Sequence, residues 1–379
     1  MNHVHRAARL FLAPIILVTL FLCTNASWAG QDHSHTLSLT AKSSLLLDAG
    51  TGQILFEQNA RMRLPPASTT KIVTALLALE TGDLSQVVTV SPNAATVPEA
   101  SLDLRPGEKI TLEELIYGAL LCSGNDACVA IAEHIAGTEA NFVLLMNQKA
   151  WLLGADATSF KNTNGLPAAG HLTTALDLGI LTRCALSNPT FRKIVNTREK
   201  TINGQEGLRG LSNTNRLLWS YNGANGVKTG TTDEAGNCLV ASATKNGRQL
   251  ISVVLNSENR WTDSQKLLDY GFNHFEFMNV VTAGDVYGTI GVVDGGGEAM
   301  AIASVDLGVV FPKDNPESIK KMVTLSSDLT APLQKGQKVG CITILVQGEV
   351  AGSADLISDQ DLVKTSPYGS LWKWTSIFS

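Results

Sequence analysis

Two strand-like hairpins, separated by a long helical middle, constrain the fold of this 379-residue chain more than any other feature. The first hairpin joins residues 43–48 to residues 53–57 through a glycine-containing turn. The second joins residues 238–244 to residues 249–255 through Asn246-Gly247, a dipeptide that accepts the positive φ angles of a tight turn. The simplest topology that uses both hairpins is an antiparallel sheet built from the two ends of one domain, with a helical insertion between them.

The pattern of the middle segment predicts helices. Apolar residues recur at three- and four-residue spacing in five runs, which are residues 71–81, 111–118, 126–136, 140–153 and 174–186. Thr111 and Glu114 form a capping-box pattern at the start of the second run. Gly82, Gly137 and Gly154 stand where helix ends favour a residue that tolerates left-handed geometry.

The length of the chain predicts two domains. Beyond residue 276, short alternating runs separated by turn residues replace the helical pattern, which is typical of an all-β domain. We therefore expect an α/β (α+β) domain over residues 36–276, an antiparallel sheet with a helical insertion, followed by a small all-β domain over residues 277–365.

The two ends of the chain predict export and attachment to a surface. Residues 1–29 combine early positive charge, a short apolar run and small residues before a cleavage point, which is typical of a signal peptide. In residues 366–379, a helix would place Leu371, Trp374 and Phe378 on one face, which predicts an amphipathic tail at a membrane surface. The alternative for this tail is packing against the all-β domain.

Charge and cysteine content exclude several classes of function. A net charge of −5 without a basic stripe argues against a nucleic-acid partner. The five cysteines after residue 29 are an odd number without paired spacing, so we expect free thiols and neither a disulfide framework nor a zinc site. We predict no metal and no cofactor.

Three short motifs follow one another along the chain: Ser68 to Lys71, Ser123 to Asn125 and Lys228 to Gly230. Taken singly they are unspecific, because Ser-x-x-Lys also occurs at Ser242 to Lys245 and at Ser318 to Lys321. The three motifs become specific as a set, through their order, their spacing and their predicted structural context.

The first motif has the chemistry of an activated nucleophile. Pro65 and Pro66 should place Ser68 at or beside a helix N-terminus, with Lys71 one turn later on the same face. A lysine can serve as the base for a serine only if burial or a nearby cation, such as Lys228, lowers its pKa. The backbone N–H groups of Ser68 and Thr231 could form an oxyanion hole. Glycine at position 230 would let substrate approach the strand edge.

The three motifs resemble the set shared by penicillin-binding proteins and class A β-lactamases. The chain resembles the low-molecular-weight penicillin-binding proteins that are D-alanyl-D-alanine carboxypeptidases. The resemblance rests on the runs Pro65 to Lys71, Ser123 to Ala127 and Lys228 to Thr232, on Asp48 with Gly52, and on Asn162 with Gly165 and Leu166. The resemblance covers nearly the whole mature chain and implies a serine-type D-Ala-D-Ala carboxypeptidase that binds penicillin covalently. It also implies peptidoglycan stem peptides as substrate and β-lactams as inhibitors, at the extracytoplasmic face of the cell membrane.

By that resemblance, Ser68 attacks the carbonyl between the terminal D-alanines, with Lys71 as general base. Ser123 would relay a proton to the leaving amine, and Asn125 would bind the substrate or Lys71. Lys228 with Thr229 would hold the terminal carboxylate, and Arg260 would lie near it. Gly230 and Thr231 complete the substrate-binding candidates.

Three alternative functions compete with this hypothesis. A class A β-lactamase would need a Glu-x-x-Leu-Asn segment between the second and third motifs, and none occurs. A D,D-endopeptidase that cleaves peptidoglycan crosslinks would use the same site and stays open, although such enzymes usually lack the C-terminal domain and tail. A non-catalytic cell-wall binding protein with this fold is the third, and the intact motif residues argue against it.

Overall fold

The computed structural model describes residues 37–204 and 207–365. The predicted signal peptide and the predicted tail at residues 366–379 lie outside the described residues. The strands are β1 (Ser43–Asp48), β2 (Ile54–Gln58), β3 (Val87–Thr89), β4 (Lys109–Thr111), β5 (Glu199–Gly204), β6 (Gly207–Ser212), β7 (Ala224–Thr232), β8 (Gly236–Lys245), β9 (Arg248–Ser257), β10 (Phe275–Val281), β11 (Val286–Gly291), β12 (Glu298–Ala303), β13 (Leu307–Pro312), β14 (Ile319–Leu325), β15 (Lys338–Val346) and β16 (Glu349–Ser358). The helices are α1 (Lys71–Thr81), α2 (Pro92–Ala95), α3 (Leu112–Leu121), α4 (Asn125–Ala136), α5 (Glu139–Leu152), α6 (Ala175–Ser187), α7 (Pro189–Val195), α8 (Leu217–Ser220) and α9 (Arg260–His274).

A five-stranded antiparallel sheet forms the centre of the first domain, in the order β2-β1-β9-β8-β7. Both predicted hairpins are present, and Asn246 and Gly247 adopt φ angles of 52° and 79° between β8 and β9. Because β1 pairs with β9, the sheet is assembled from both ends of the domain, as the sequence predicts. Strand β7, which carries the third motif, lies at one edge.

The five predicted helices correspond to α1, α3, α4, α5 and α6, and the Thr111–Glu114 capping box is formed. Gly137 and Gly154 have the expected positive φ angles. The expectation for Gly82 is wrong, because its backbone is extended at φ −98° and ψ 149°. Steric crowding explains why a glycine occupies this position, since a β-carbon there would lie 2.3 Å from the Leu112 Cδ2 atom.

Helix α9 covers the second face of the sheet and was not predicted. Its mean hydropathy is low, and the apolar side chains that it buries against the sheet are essentially Leu267 and Leu268. The hairpin of β5 and β6 and the short helix α7 were also missed. The opposite face of the sheet packs against α6 and the helical insertion, where Leu45 and Leu47 join a core that includes Ile72 and Leu178.

The second domain is all-β, as predicted. It contains a five-stranded sheet in the order β11-β12-β16-β15-β14 and a separate pair, β10 with β13. The Gln53 side chain joins the two domains, because its amide nitrogen donates to the Val310 carbonyl at 2.9 Å and its oxygen accepts from the Val310 N–H at 2.6 Å. The fold class predicted from the sequence is confirmed.

Candidate active site

Ser68 lies in a single 3-10 turn, Ala67–Thr70, that runs directly into α1. The side chain of Thr69 donates to the Pro66 carbonyl at 2.6 Å, and that of Thr70 donates to the Ala67 carbonyl at 2.8 Å. These bonds hold Ala67 at a left-handed φ of 47°, a conformation that a non-glycine residue adopts at a cost. The turn therefore presents Ser68 one helical turn before Lys71.

Lys71 is fully buried, and its ammonium group has three acceptors. Its Nζ atom donates to Ser68 Oγ at 2.8 Å, to Asn125 Oδ1 at 2.8 Å and to the Asn164 carbonyl at 2.6 Å. Burial lowers the pKa of Lys71 to about 8, because an apolar surrounding disfavours the charged form. A substantial neutral fraction is thus available near physiological pH, in contact with the serine hydroxyl.

Lys228 is the second buried cation, and its Nζ atom donates to the Thr229 carbonyl at 3.0 Å. Burial lowers its pKa well below the ordinary value, and repulsion from Lys71 lowers it further. The sequence suggested that Lys228 would depress the pKa of Lys71. Burial is the largest cause for both lysines, and the repulsion between the two cations adds to it.

The second motif lies at the junction of α3 and α4, where Ser123 has a left-handed φ of 66°. Asn125 begins α4 and links Lys71 to a neighbouring loop, because its Nδ2 atom donates to the Pro98 carbonyl at 2.8 Å. Asp126 anchors the same loop by accepting from the backbone N–H of Leu102 at 2.9 Å. The motif therefore combines cleft side chains with residues that shape the wall of the cleft.

The third motif occupies the edge strand β7. Thr229 Oγ1 lies 2.6 Å from Thr214 Oγ1. A β-carbon on Gly230 would lie 3.0 Å from both the Ala67 Cβ and the Ser68 nitrogen, so the glycine accommodates the turn of Ser68 itself. Arg260, the first residue of α9, donates to the Gly230 carbonyl at 2.8 Å and to Thr231 Oγ1 at 2.7 Å. A cationic guanidinium thus lies at this end of the strand edge.

These elements enclose one cleft of about 250 Å³. Seven of the nine predicted site residues line it, and Lys71 and Lys228 are buried close to it; the seven are Ser68, Ser123, Asn125, Thr229, Gly230, Thr231 and Arg260. Thr214, Glu99 and the Asn164 carbonyl were not predicted. Gly165, which the family resemblance marks, was the available sequence signal for the neighbouring Asn164. In the structure, the φ of 91° at Gly165 and its closeness to Ala67 place this segment beside the turn of Ser68.

The two additional Ser-x-x-Lys sequences do not form such a site. Ser242 to Lys245 lies along strand β8, and Ser318 to Lys321 leads into strand β14. In an extended chain, residues three apart point to opposite faces, so neither sequence has the helical geometry of Ser68 and Lys71.

The five cysteines of the described residues are all free thiols, two of them buried. Cys122 lines the cleft, but burial raises the pKa of its thiol, which disfavours the nucleophilic thiolate. Within residues 37–204 and 207–365, no three His, Cys, Asp or Glu side chains converge as a metal site.

In the same part of the chain no single helix is long and apolar enough to cross a membrane; α4 and α5, bent by 87°, meet that criterion only as a pair.

Comparison with known proteins agrees with this geometry. Residues 30–259 match the D-alanyl-D-alanine carboxypeptidase family, and residues 275–364 match the C-terminal domain of penicillin-binding protein 5. The chain is 34% identical over 369 residues to the D-alanyl-D-alanine carboxypeptidase DacF of Bacillus subtilis, covering 94% of this chain and 95% of that protein. It is 34% identical over 371 residues to DacC of Escherichia coli, covering 93% and 92% of the two chains.

Solved structures show the same relationship. Penicillin-binding protein 5 of Haemophilus influenzae superimposes with a TM-score of 0.77 at 31% identity, covering 86% of this chain and 98% of that one. The carboxypeptidase DacD of Francisella tularensis gives a TM-score of 0.68 at 27% identity, covering 91% and 100%. The resemblance inferred from the motifs is therefore confirmed, together with the enzyme class, and the chain belongs to the serine-type D-alanyl-D-alanine carboxypeptidase family of penicillin-binding proteins.

Proposed function

We propose that this protein removes the terminal D-alanine from peptidoglycan stem pentapeptides through an acyl-enzyme on Ser68, and that β-lactams acylate the same serine. The observation that carries the proposal is the contact of 2.8 Å between Ser68 Oγ and the fully buried Lys71 Nζ, whose pKa burial lowers to about 8. A neutral amine in that position can accept the hydroxyl proton as the oxygen attacks the substrate carbonyl.

The other cleft residues supply the remaining steps of acylation. The backbone N–H groups of Ser68 and Thr231 stabilise the negative charge that develops on the carbonyl oxygen. The proton that Lys71 has taken from Ser68 passes by way of the Ser123 hydroxyl to the nitrogen of the leaving D-alanine, so the C–N bond breaks as the ester to Ser68 is completed. Water then hydrolyses the ester and regenerates the serine.

Cations near strand β7, at one wall of the cleft, favour a substrate with a free C-terminal carboxylate. Lys228 is buried close to the cleft, and the Arg260 guanidinium contacts Gly230 and Thr231 on the strand edge. Thr229 adds a hydroxyl beside them. A guanidinium binds a carboxylate strongly and with defined geometry, which would orient the terminal D-alanine.

A covalent label tests the nucleophile. Fluorescent penicillin should label the wild type and fail to label Ser68→Ala, while circular dichroism of the variant stays that of the folded protein. Labelling that persists in Ser68→Ala would overturn the assignment.

A second assay distinguishes the carboxypeptidase from the endopeptidase. Purified protein should release free D-alanine from a stem pentapeptide and leave a crosslinked peptide dimer intact. Cleavage of the dimer at a comparable rate would favour the endopeptidase, and absence of both reactions with penicillin binding retained would favour a binding protein.

The location and domain plan of the protein are part of the same proposal. Residues 1–29 would direct export, residues 36–276 would carry out catalysis, residues 277–365 would form the spacer domain, and residues 366–379 would hold the enzyme on the outer surface of the cell membrane. The aromatic residues of the tail support this role. Deletion of residues 371–379 should move the exported protein from the membrane fraction to the soluble one; unchanged fractionation would refute the anchor.

A further inference from the structure

Glu99 brings an exposed acidic side chain to the mouth of the active-site cleft. It lies in the loop between α2 and β4 and lines the cleft together with Ser68 and Asn125. The negative charge of this carboxylate acts to raise the pKa of Lys71. Nothing in the motif pattern marks the position, because a glutamate in a polar loop is usually a solvated surface residue.

The backbone on both sides of Glu99 is held by the second motif. Asn125 donates from its Nδ2 atom to the Pro98 carbonyl at 2.8 Å and from its backbone N–H to the Ala100 carbonyl at 2.7 Å. Asp126 anchors the next stretch through Ser101 Oγ at 2.6 Å. Glu99 itself has a left-handed φ of 69°, which persists in a non-glycine residue only when its surroundings impose it. The carboxylate is thus placed at the cleft by the same asparagine that contacts Lys71.

The Glu99 carboxylate makes no hydrogen bond or ion pair with any residue that the structure describes. Other acidic groups of this domain are engaged: Asp48 pairs with Arg248 at 2.9 Å, and Glu108 pairs with Arg209 at 2.9 Å. Glu99 is therefore an acceptor that is available to a ligand in the cleft.

A continuous series of contacts runs from Arg260 through the turn of Ser68 to the loop of Glu99. Arg260 contacts Gly230, and Gly230 lies beside the backbone of Ser68. Lys71 bridges Ser68 to Asn125, and Asn125 holds the carbonyl groups of the two residues that flank Glu99. If the leaving group's carboxylate lies at Arg260, the acyl part of the substrate extends toward Glu99.

We propose that Glu99 is a specificity-determining residue that selects substrates with a positively charged group on the acyl side of the scissile bond, such as the free side-chain amine of the residue that precedes the two D-alanines. This inference rests on the proposed carboxypeptidase function. Its physical basis is charge complementarity along the cleft, anionic on the acyl side and cationic on the leaving-group side. For an exposed pair, the expected discrimination is roughly two- to five-fold at low salt.

Two substrates that differ in one charge test the inference. One is Nα-acetyl-L-lysyl-D-alanyl-D-alanine with a free side-chain amine, and the other carries an acetyl group on that amine. The wild type should show a higher kcat/KM for the free amine, and Glu99→Gln should bring the ratio of the two kcat/KM values close to one. The ratio is the readout because loss of the Glu99 charge also acts on Lys71 and changes both rates together.

Asp103→Asn is the matched control, since Asp103 is an exposed acid of the same loop outside the cleft lining and should leave the ratio unchanged. Raising the ionic strength should reduce the preference in the wild type and have little effect in Glu99→Gln. A ratio that is equal in wild type and Glu99→Gln would overturn the inference. Failure to release D-alanine from either substrate would instead overturn the carboxypeptidase function.

Discussion

A β-carbon on Gly165 would lie 1.9 Å from the carbonyl oxygen of Ala67, the residue that precedes Ser68. The backbone of the two segments is therefore in direct contact, which only a glycine permits. This contact places the neighbouring Asn164 carbonyl 2.6 Å from Lys71 Nζ. The position of the Lys71 amine thus depends on a loop that is remote from it in sequence.

Gly165→Ala should disrupt the active site more than it disrupts the domain. The overlap with Ala67 must be relieved by backbone movement at a cost of roughly 3 kcal/mol or more, so we expect slow or absent penicillin labelling. Gly170→Ala is the control, because Gly170 also has a positive φ of 78° but its β-carbon would meet Lys161 Cε only at 3.4 Å. Gly170→Ala should lower the free energy of unfolding by about 1 kcal/mol and retain penicillin labelling. Equal labelling of the two variants would contradict the role of the contact.

Acylation should depend on the neutral form of Lys71. Because burial lowers the pKa of this amine to about 8, the second-order rate of penicillin acylation should rise with pH through a midpoint near 8. Lys71→Arg should reduce that rate on the order of 100-fold or more, since a guanidinium stays protonated. Stopped-flow measurements with a fluorescent β-lactam would check both, and a profile that is flat across this range would refute the assignment of the base.

His171 should make the first domain less stable in acid. The ring is 3% exposed, its Nδ1 accepts from the Lys161 N–H at 3.0 Å, and its Nε2 therefore carries the proton that it donates to Thr70 Oγ1 at 2.9 Å. Burial, and then the charge of Lys161, lower its pKa to about 4 from an ordinary 6.5. The unfolded chain binds this proton more tightly than the folded one. Stability present above about pH 6.5 is consequently lost as the pH falls toward 4, by up to about 3 kcal/mol.

Urea denaturation at several pH values would measure this loss. His171→Gln should remove that part of the pH dependence, whereas His134→Gln, at an exposed position, should retain it. The same acid dependence in wild type and His171→Gln would show that other groups are responsible.

The Asp48–Arg248 ion pair should stabilise the sheet. Asp48 Oδ2 lies 2.9 Å from Arg248 Nε, and the two side chains are 3% and 12% exposed. Asp48→Asn would leave a buried guanidinium without its counter-charge, so we expect a loss of about 3 kcal/mol in the free energy of unfolding. Asp355→Asn breaks the exposed pair with Lys338 and should change stability by less than about 1 kcal/mol. Similar losses in the two variants, measured by urea denaturation, would contradict this difference.

The predictable features were those that depend on neighbours in sequence. Helical spacing located α1, and the Pro65-Pro66 pair preceding Ser68 indicated that the serine and Lys71 would meet one turn apart. Helix α9 escaped prediction because few apolar side chains mark its buried face. The sequence placed Arg260 only after the last sheet strand, and its contact with Gly230 follows from the packing of α9 on the sheet.

The sequence alone determined the two-domain plan, the antiparallel sheet built from both ends of the first domain, and the three motifs that identify the family. These depend on periodicity, turn chemistry and residue type, which act over a few residues. Only the tertiary structure decided that the Asn164 carbonyl contacts Lys71, that burial lowers the pKa of that lysine, and that Glu99 and Arg260 line the same cleft. A carbonyl oxygen is common to every residue, and desolvation depends on everything packed around a group, so neither leaves a local signature.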